Sequence, residues 1–82
     1  MSGSTPLRRD DLYARIVQAL IATRREAKLR QVDVAKRVGW PQAYVSRYEN
    51  HERKLDVAEY VAVALAVDAD PVALLARVLD EG

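Results

Sequence analysis

Apolar positions recur every three or four residues along this chain, and no useful length alternates apolar with polar, so the pattern predicts helices and no sheet. The first helix is expected from Asp10 or Asp11 to Lys28. Leu12, Ile16 and Leu20 form its stripe, widened by Tyr13, Val17 and Ile21, while Arg15, Gln18 and Arg25 lie away from it. Asp10 and Asp11 suit the positive end of its dipole. A second helix fits Gln31 to Val38, with Val34, Ala35 and Val38 on one face and Gly39 able to take the left-handed conformation that ends it.

Pro41 opens a third helix, to about Asn50, since a first turn makes no use of the missing N–H; Val45 and part of Tyr48 form its buried side. Asp56 and Glu59 have capping-box spacing and start a fourth helix, through about Ala66, with Val57, Val61 and Leu65 expected inward. Asp70-Pro71 caps and opens a fifth, through about Leu79. The expected fold class is all-α, a compact five-helix domain at residues 10–82 behind a flexible tail at 1–9.

Length and composition narrow the function. The 82 residues suit one domain, and the lack of Cys removes disulfides and thiolate metal sites. No apolar run reaches the roughly 20 residues that span a bilayer, and MSGSTPLRRDD lacks a signal-peptide core, so the expectation is a cytoplasmic protein without a membrane partner. There is no phosphate-cradling glycine loop, no nucleophile beside a base and no ligand cluster; no enzyme, cofactor or metal is expected.

The charge is split along the chain. Residues 1–54 carry twelve basic groups against six acidic ones, whereas residues 55–82 carry Arg77 against six acidic groups. Such a division gives one half affinity for a polyanion.

Gly39 and Trp40 leave too short a link for an antiparallel helical hairpin, so the second and third helices cross steeply. Gln42, Ala43, Ser46 and Arg47 then form the outer face of the third helix, with Tyr44 beside it. These residue types fit base edges: Gln pairs two-pronged with adenine, Arg with guanine, and Ala lies against a thymine methyl. Gln31 and the N–H groups at helix starts suit phosphates, and Tyr44, Arg53 and Lys54 add flanking contacts.

Gln31, Ala35, Gly39 and Val45, spaced four, four and six apart, resemble the helix-turn-helix signature of phage repressor and Cro-type regulators, the XRE family. The likeness continues through VSRYE, ERKLDVAEY and ALAVDADPVALL, over about residues 12–79. It implies a lambda-repressor-like domain with the helix-turn-helix at about 31–50. It also implies double-stranded DNA as partner, the third helix in the major groove, and a homodimeric repressor on a near-palindromic operator. In this family Gln42, Ala43 and Arg47 fall at base-reading positions, with Ser46 a lesser one. Gln31 falls where the second helix is anchored to the DNA backbone, and Arg24 and Glu49 match a pair tying the first helix to the end of the third.

The chain departs from the family pattern at three places. Arg30 replaces a Ser or Thr cap and is placed to reach a phosphate. Pro41 replaces a polar cap. His51 stands where many members have Gly, so Asn50 is expected to make the left-handed turn. Trp40, Tyr13, Tyr48 and Tyr60 are read as core, and the Lys36-Arg37 pair as a solvated face. The terminal helix, about 70–79, presents Val72, Leu75, Val78 and Leu79, which are expected to meet a second copy. The alternative is a protein-interaction module, such as the antitoxin of a toxin–antitoxin pair, with a protein partner on the acidic half.

Overall fold

The computed structural model describes residues 8–81, which form five helices and no strand: α1 Arg9–Glu26, α2 Gln31–Val38, α3 Gln42–Glu49, α4 Val57–Ala66 and α5 Pro71–Glu81. Most of the expected tail, residues 1–7, lies outside them, and Arg9 already belongs to α1. α2 packs on α3 and α4, and α1 lies against α3 and α5. The core between them is made by Val17, Leu20 and Ile21 of α1, Val34 and Ala35 of α2, Val45 and Tyr48 of α3, Tyr60, Val63 and Ala64 of α4, and Leu74 and Val78 of α5.

The helix ends follow from local chemistry. At α4 the capping box is complete, with Glu59 N–H donating to Asp56 Oδ1 at 2.7 Å and Asp56 N–H to Glu59 Oε1 at 2.9 Å. Asp70 Oδ1 accepts from Val72 N–H and Ala73 N–H in the first turn of α5. Pro41 sits one position outside α3 as its N-cap.

α1 stops at Glu26, because Lys28 turns left-handed and Leu29 N–H closes onto Arg24 O. The same closure ends α3 and α4, where Glu52 N–H reaches Arg47 O and Ala69 N–H reaches Ala64 O. The left-handed residues there are His51 and Asp68. Asn50 keeps φ at −91°, so the expectation that it makes the turn is corrected in favour of His51.

Two further expectations change. Val57 and Leu65, expected inward, are 80% and 60% exposed, and Val61 is also exposed, while Tyr60, Val63, Ala64 and Ala66 fill the core. The reason is that VAEYVAVALA is apolar nearly all round, so its periodicity does not select a face. Val78, expected at a dimer surface, is only 3% exposed and closes the chain's own core beside Leu74.

Candidate nucleic-acid interface

The site is built on the turn between α2 and α3. Gly39 adopts φ 77° and ψ 28°, and its N–H and that of Trp40 both end on Ala35 O, at 2.9 and 3.0 Å. No neighbour crowds Gly39, so the positive φ alone is what calls for glycine. Trp40 is half-buried against the core and lies 6.3 Å from the Tyr44 ring.

α3 is thereby divided. Val45, Tyr48 and Glu49 face inward, while Gln42, Ala43, Tyr44 and Arg47 are exposed and Ser46 is half-buried. Asn50 Nδ2 donates to Ser46 Oγ at 3.4 Å, so this hydroxyl is partly engaged. Arg47 has no ion-pair partner among the described residues.

The inner end of α3 is fixed by charge. Arg24 Nε and Nη2 donate to the two oxygens of Glu49 at 2.7 and 3.0 Å, and Arg24 Nη1 donates to Leu29 O at 2.8 Å. Both residues are 8% exposed, and the two-pronged geometry satisfies groups that burial would otherwise strand. Gln31 Nε2 donates to Glu49 Oε1 at 2.9 Å, which adds the start of α2. That amide nitrogen carries a second N–H as well.

The flanking cations are engaged within the chain. Arg30 donates from its backbone N–H and its guanidinium to Asp33, with contacts of 2.8 to 3.2 Å. The guanidinium and that N–H together hold the half-buried Asp33 carboxyl down to about 2. The Arg30 side chain has only donors, so the other half of a capping box is not made. Arg53 donates to Glu59 Oε2 at 2.7 Å and lies 4.7 Å over the Tyr44 ring. Its guanidinium keeps Glu59 below the usual carboxylate range. Lys54 Nζ sits 2.9 Å from Asp10 Oδ1 and lowers that carboxyl too.

Several contributors carried no clear sequence signal. Tyr13 pins the α3–α4 loop, its hydroxyl donating to Arg53 O at 3.3 Å and accepting from Leu55 N–H at 2.9 Å. Arg37, exposed as expected, also donates to Ala66 O at 2.7 Å, joining the end of α2 to the end of α4. Of these pairs only Arg30 with Asp33, three residues apart at a helix start, has a spacing that announces it.

Away from α3, exposed apolar side chains run along α4 as Val57, Val61 and Leu65 and along α5 as Val72, Leu75 and Leu79. An apolar cleft of about 230 Å³ lies between Tyr13, Ile16, Leu55, Val57, Tyr60 and Leu75. No helix among the described residues is long and apolar enough to cross a membrane.

A short helix thrust outward by a left-handed glycine, with its polar row exposed and its reverse side locked, defines a helix-turn-helix DNA-binding protein. Residues 15–76 match the family model described as a helix-turn-helix domain. The chain is similar to the solved structure of an XRE-family like protein from Pseudomonas syringae pv. tomato str. DC3000, at 35% identity over 88% of each chain with a TM-score of 0.85. It shares its fold with the wild-type restriction-modification controller protein C.Esp1396I, at 18% identity, 85% coverage of this chain, 92% of that one and a TM-score of 0.78. No curated protein matches it. The chain belongs to the XRE family of helix-turn-helix proteins. It is a DNA-binding regulator of transcription and not an enzyme.

Proposed function

We propose that the protein is a homodimeric repressor that acts in the cytoplasm on a near-palindromic operator, with α3 of each copy in the major groove. The observation that carries this reading is the exposed row Gln42, Ala43 and Arg47 on a helix whose other side is buried. Arg47 is the reader of a guanine, Gln42 of an adenine, and Ala43 meets a thymine methyl. Ser46 contributes less, because Asn50 shares its hydroxyl. Gln31 and the rim cations Arg30, Arg53 and Lys54, with Tyr44, approach the phosphates on either side.

The dimer face in this reading is Val72, Leu75 and Leu79, extended by Val57, Val61 and Leu65. It sets two α3 helices one DNA turn apart, about 34 Å. Occupancy alone suffices for repression, since a dimer across a promoter excludes polymerase.

Duplexes selected from a random pool test the reading. Arg47→Ala is expected to relax preference at one base pair per half-site, by about 1–3 kcal/mol. Equal binding of the wild type to selected and unselected duplexes would overturn it. The same α4–α5 face supports a second reading, an interaction module such as an antitoxin, in which a different protein covers those side chains.

A further inference from the structure

Phosphate-binding side chains in an interface of this kind are expected to stand in solvent, yet three of the rim cations are already held by carboxylates. Arg30 is on Asp33, Arg53 on Glu59 and Lys54 on Asp10. Along the chain, Arg30 stands just before α2, and Arg53 and Lys54 follow α3. The start of α2 is tied to the end of α3 through Gln31 and Glu49, and the α3–α4 loop is stacked on Tyr44 through Arg53. Arg47, on the base-reading row, is the contrast, with no carboxylate beside it among the described residues.

We propose that Asp10, Asp33 and Glu59 compete internally with DNA phosphates for Lys54, Arg30 and Arg53, so that binding exchanges a carboxylate for a phosphate at each. This rests on the DNA-binding reading above and adds a control on its strength. A phosphate contact carries no sequence information, and each one contributes about 0.9 to the slope of log affinity against log salt. The carboxylates therefore weaken every duplex alike and flatten the salt dependence, while the base-reading row keeps its selectivity. The Lys54–Asp10 pair shows the logic most cleanly. Both side chains are mostly exposed, so the pair adds little to folding and is cheap to exchange.

The test is a double-mutant cycle on Asp10 and Lys54, with Asp11→Asn as a control that removes the same charge one residue away. Binding is followed on a selected duplex and a random duplex of equal length, between about 50 and 200 mM salt. Asp10→Asn is expected to tighten both duplexes by the same factor, roughly two- to fivefold, the worth of an exposed ion pair. It should also steepen the salt slope by up to about 0.9. Lys54→Gln should weaken binding more in the Asp10→Asn background than in the wild type. Asp33→Asn, which keeps an acceptor for the helix start, should act as Asp10→Asn does.

If Asp11→Asn tightens binding equally, or the Lys54→Gln effect is the same in both backgrounds, net charge explains everything and the inference is overturned. Those outcomes leave the DNA reading and its Arg47 dependence standing. Wild type and variants that hold no duplex even at low salt would sink both.

Discussion

Glu49 holds Arg24 from 25 residues away in sequence, two-pronged and almost out of solvent, and lends one of the same oxygens to Gln31. One carboxylate thus sets α1, α2 and α3 relative to each other. Removing it leaves a buried guanidinium uncompensated, a change that costs about 3–5 kcal/mol. A domain of this size has about 5–15 kcal/mol to lose. Glu49→Ala is therefore expected to bring the fold close to its unfolding limit, read as a large drop in urea midpoint. Unchanged stability would mean that the pair does not hold the helices.

His51 occupies a left-handed conformation that glycine adopts without strain, at φ 64°. An L-residue there costs roughly 1–2 kcal/mol, and glycine returns part of that gain through its freer unfolded chain. His51→Gly is expected to stabilise by about 0.5–1 kcal/mol, a rise of a few degrees in thermal midpoint. Asn50→Gly, at a position with negative φ, should not. The opposite ranking in calorimetry would contradict this account of the α3 terminus.

These two sites show what the amino-acid order reveals and what it conceals. The turn at Gly39, the box at Asp56 and Glu59 and the boundaries of α2 are legible because each depends on residues a few positions apart. The register of α4 is not, since valine and alanine occupy both its faces and only packing against α2 and α5 selects Val63 and Ala64 over Val61 and Leu65. Val78 misleads for a related reason: α5 has two apolar faces, and a sequence shows no core for one of them to join. The Lys54–Asp10 pair spans 44 residues and is created by the fold, so no local spacing foretells it.

The division of α5 gives a test of self-association. Val72 and Leu79 are 75% and 62% exposed, whereas Val78 is closed in the core. Leu79→Glu and Val72→Glu should leave the helical signal intact and raise the dimer dissociation constant at least tenfold, about 1.4 kcal/mol. Val78→Glu should unfold the chain, because a buried unpaired charge is among the costliest substitutions. Sedimentation and circular dichroism report the two effects separately. A wild type that stays monomeric at high concentration with operator duplex present would exclude the homodimer and favour a different protein on that face.

Asp33 offers a measurement independent of DNA. The Arg30 guanidinium acts on it most and the Arg30 backbone N–H next, and together they lower the carboxyl to about 2. A folded-state value below the unfolded one means that the contact favours the fold above the ordinary aspartate range and fades as acid approaches about pH 2. Carboxyl chemical shifts should therefore place the Asp33 midpoint near 2 in the wild type. Arg30→Ala should move it back towards the ordinary value, though not fully, because the backbone donor remains. If Arg30 exchanges Asp33 for a phosphate as proposed, adding duplex at neutral pH should move the Asp33 carboxyl shift in the direction that Arg30→Ala moves it. A midpoint that ignores Arg30→Ala, with a carboxyl shift that ignores duplex at neutral pH, would show that this arginine was never on its carboxylate.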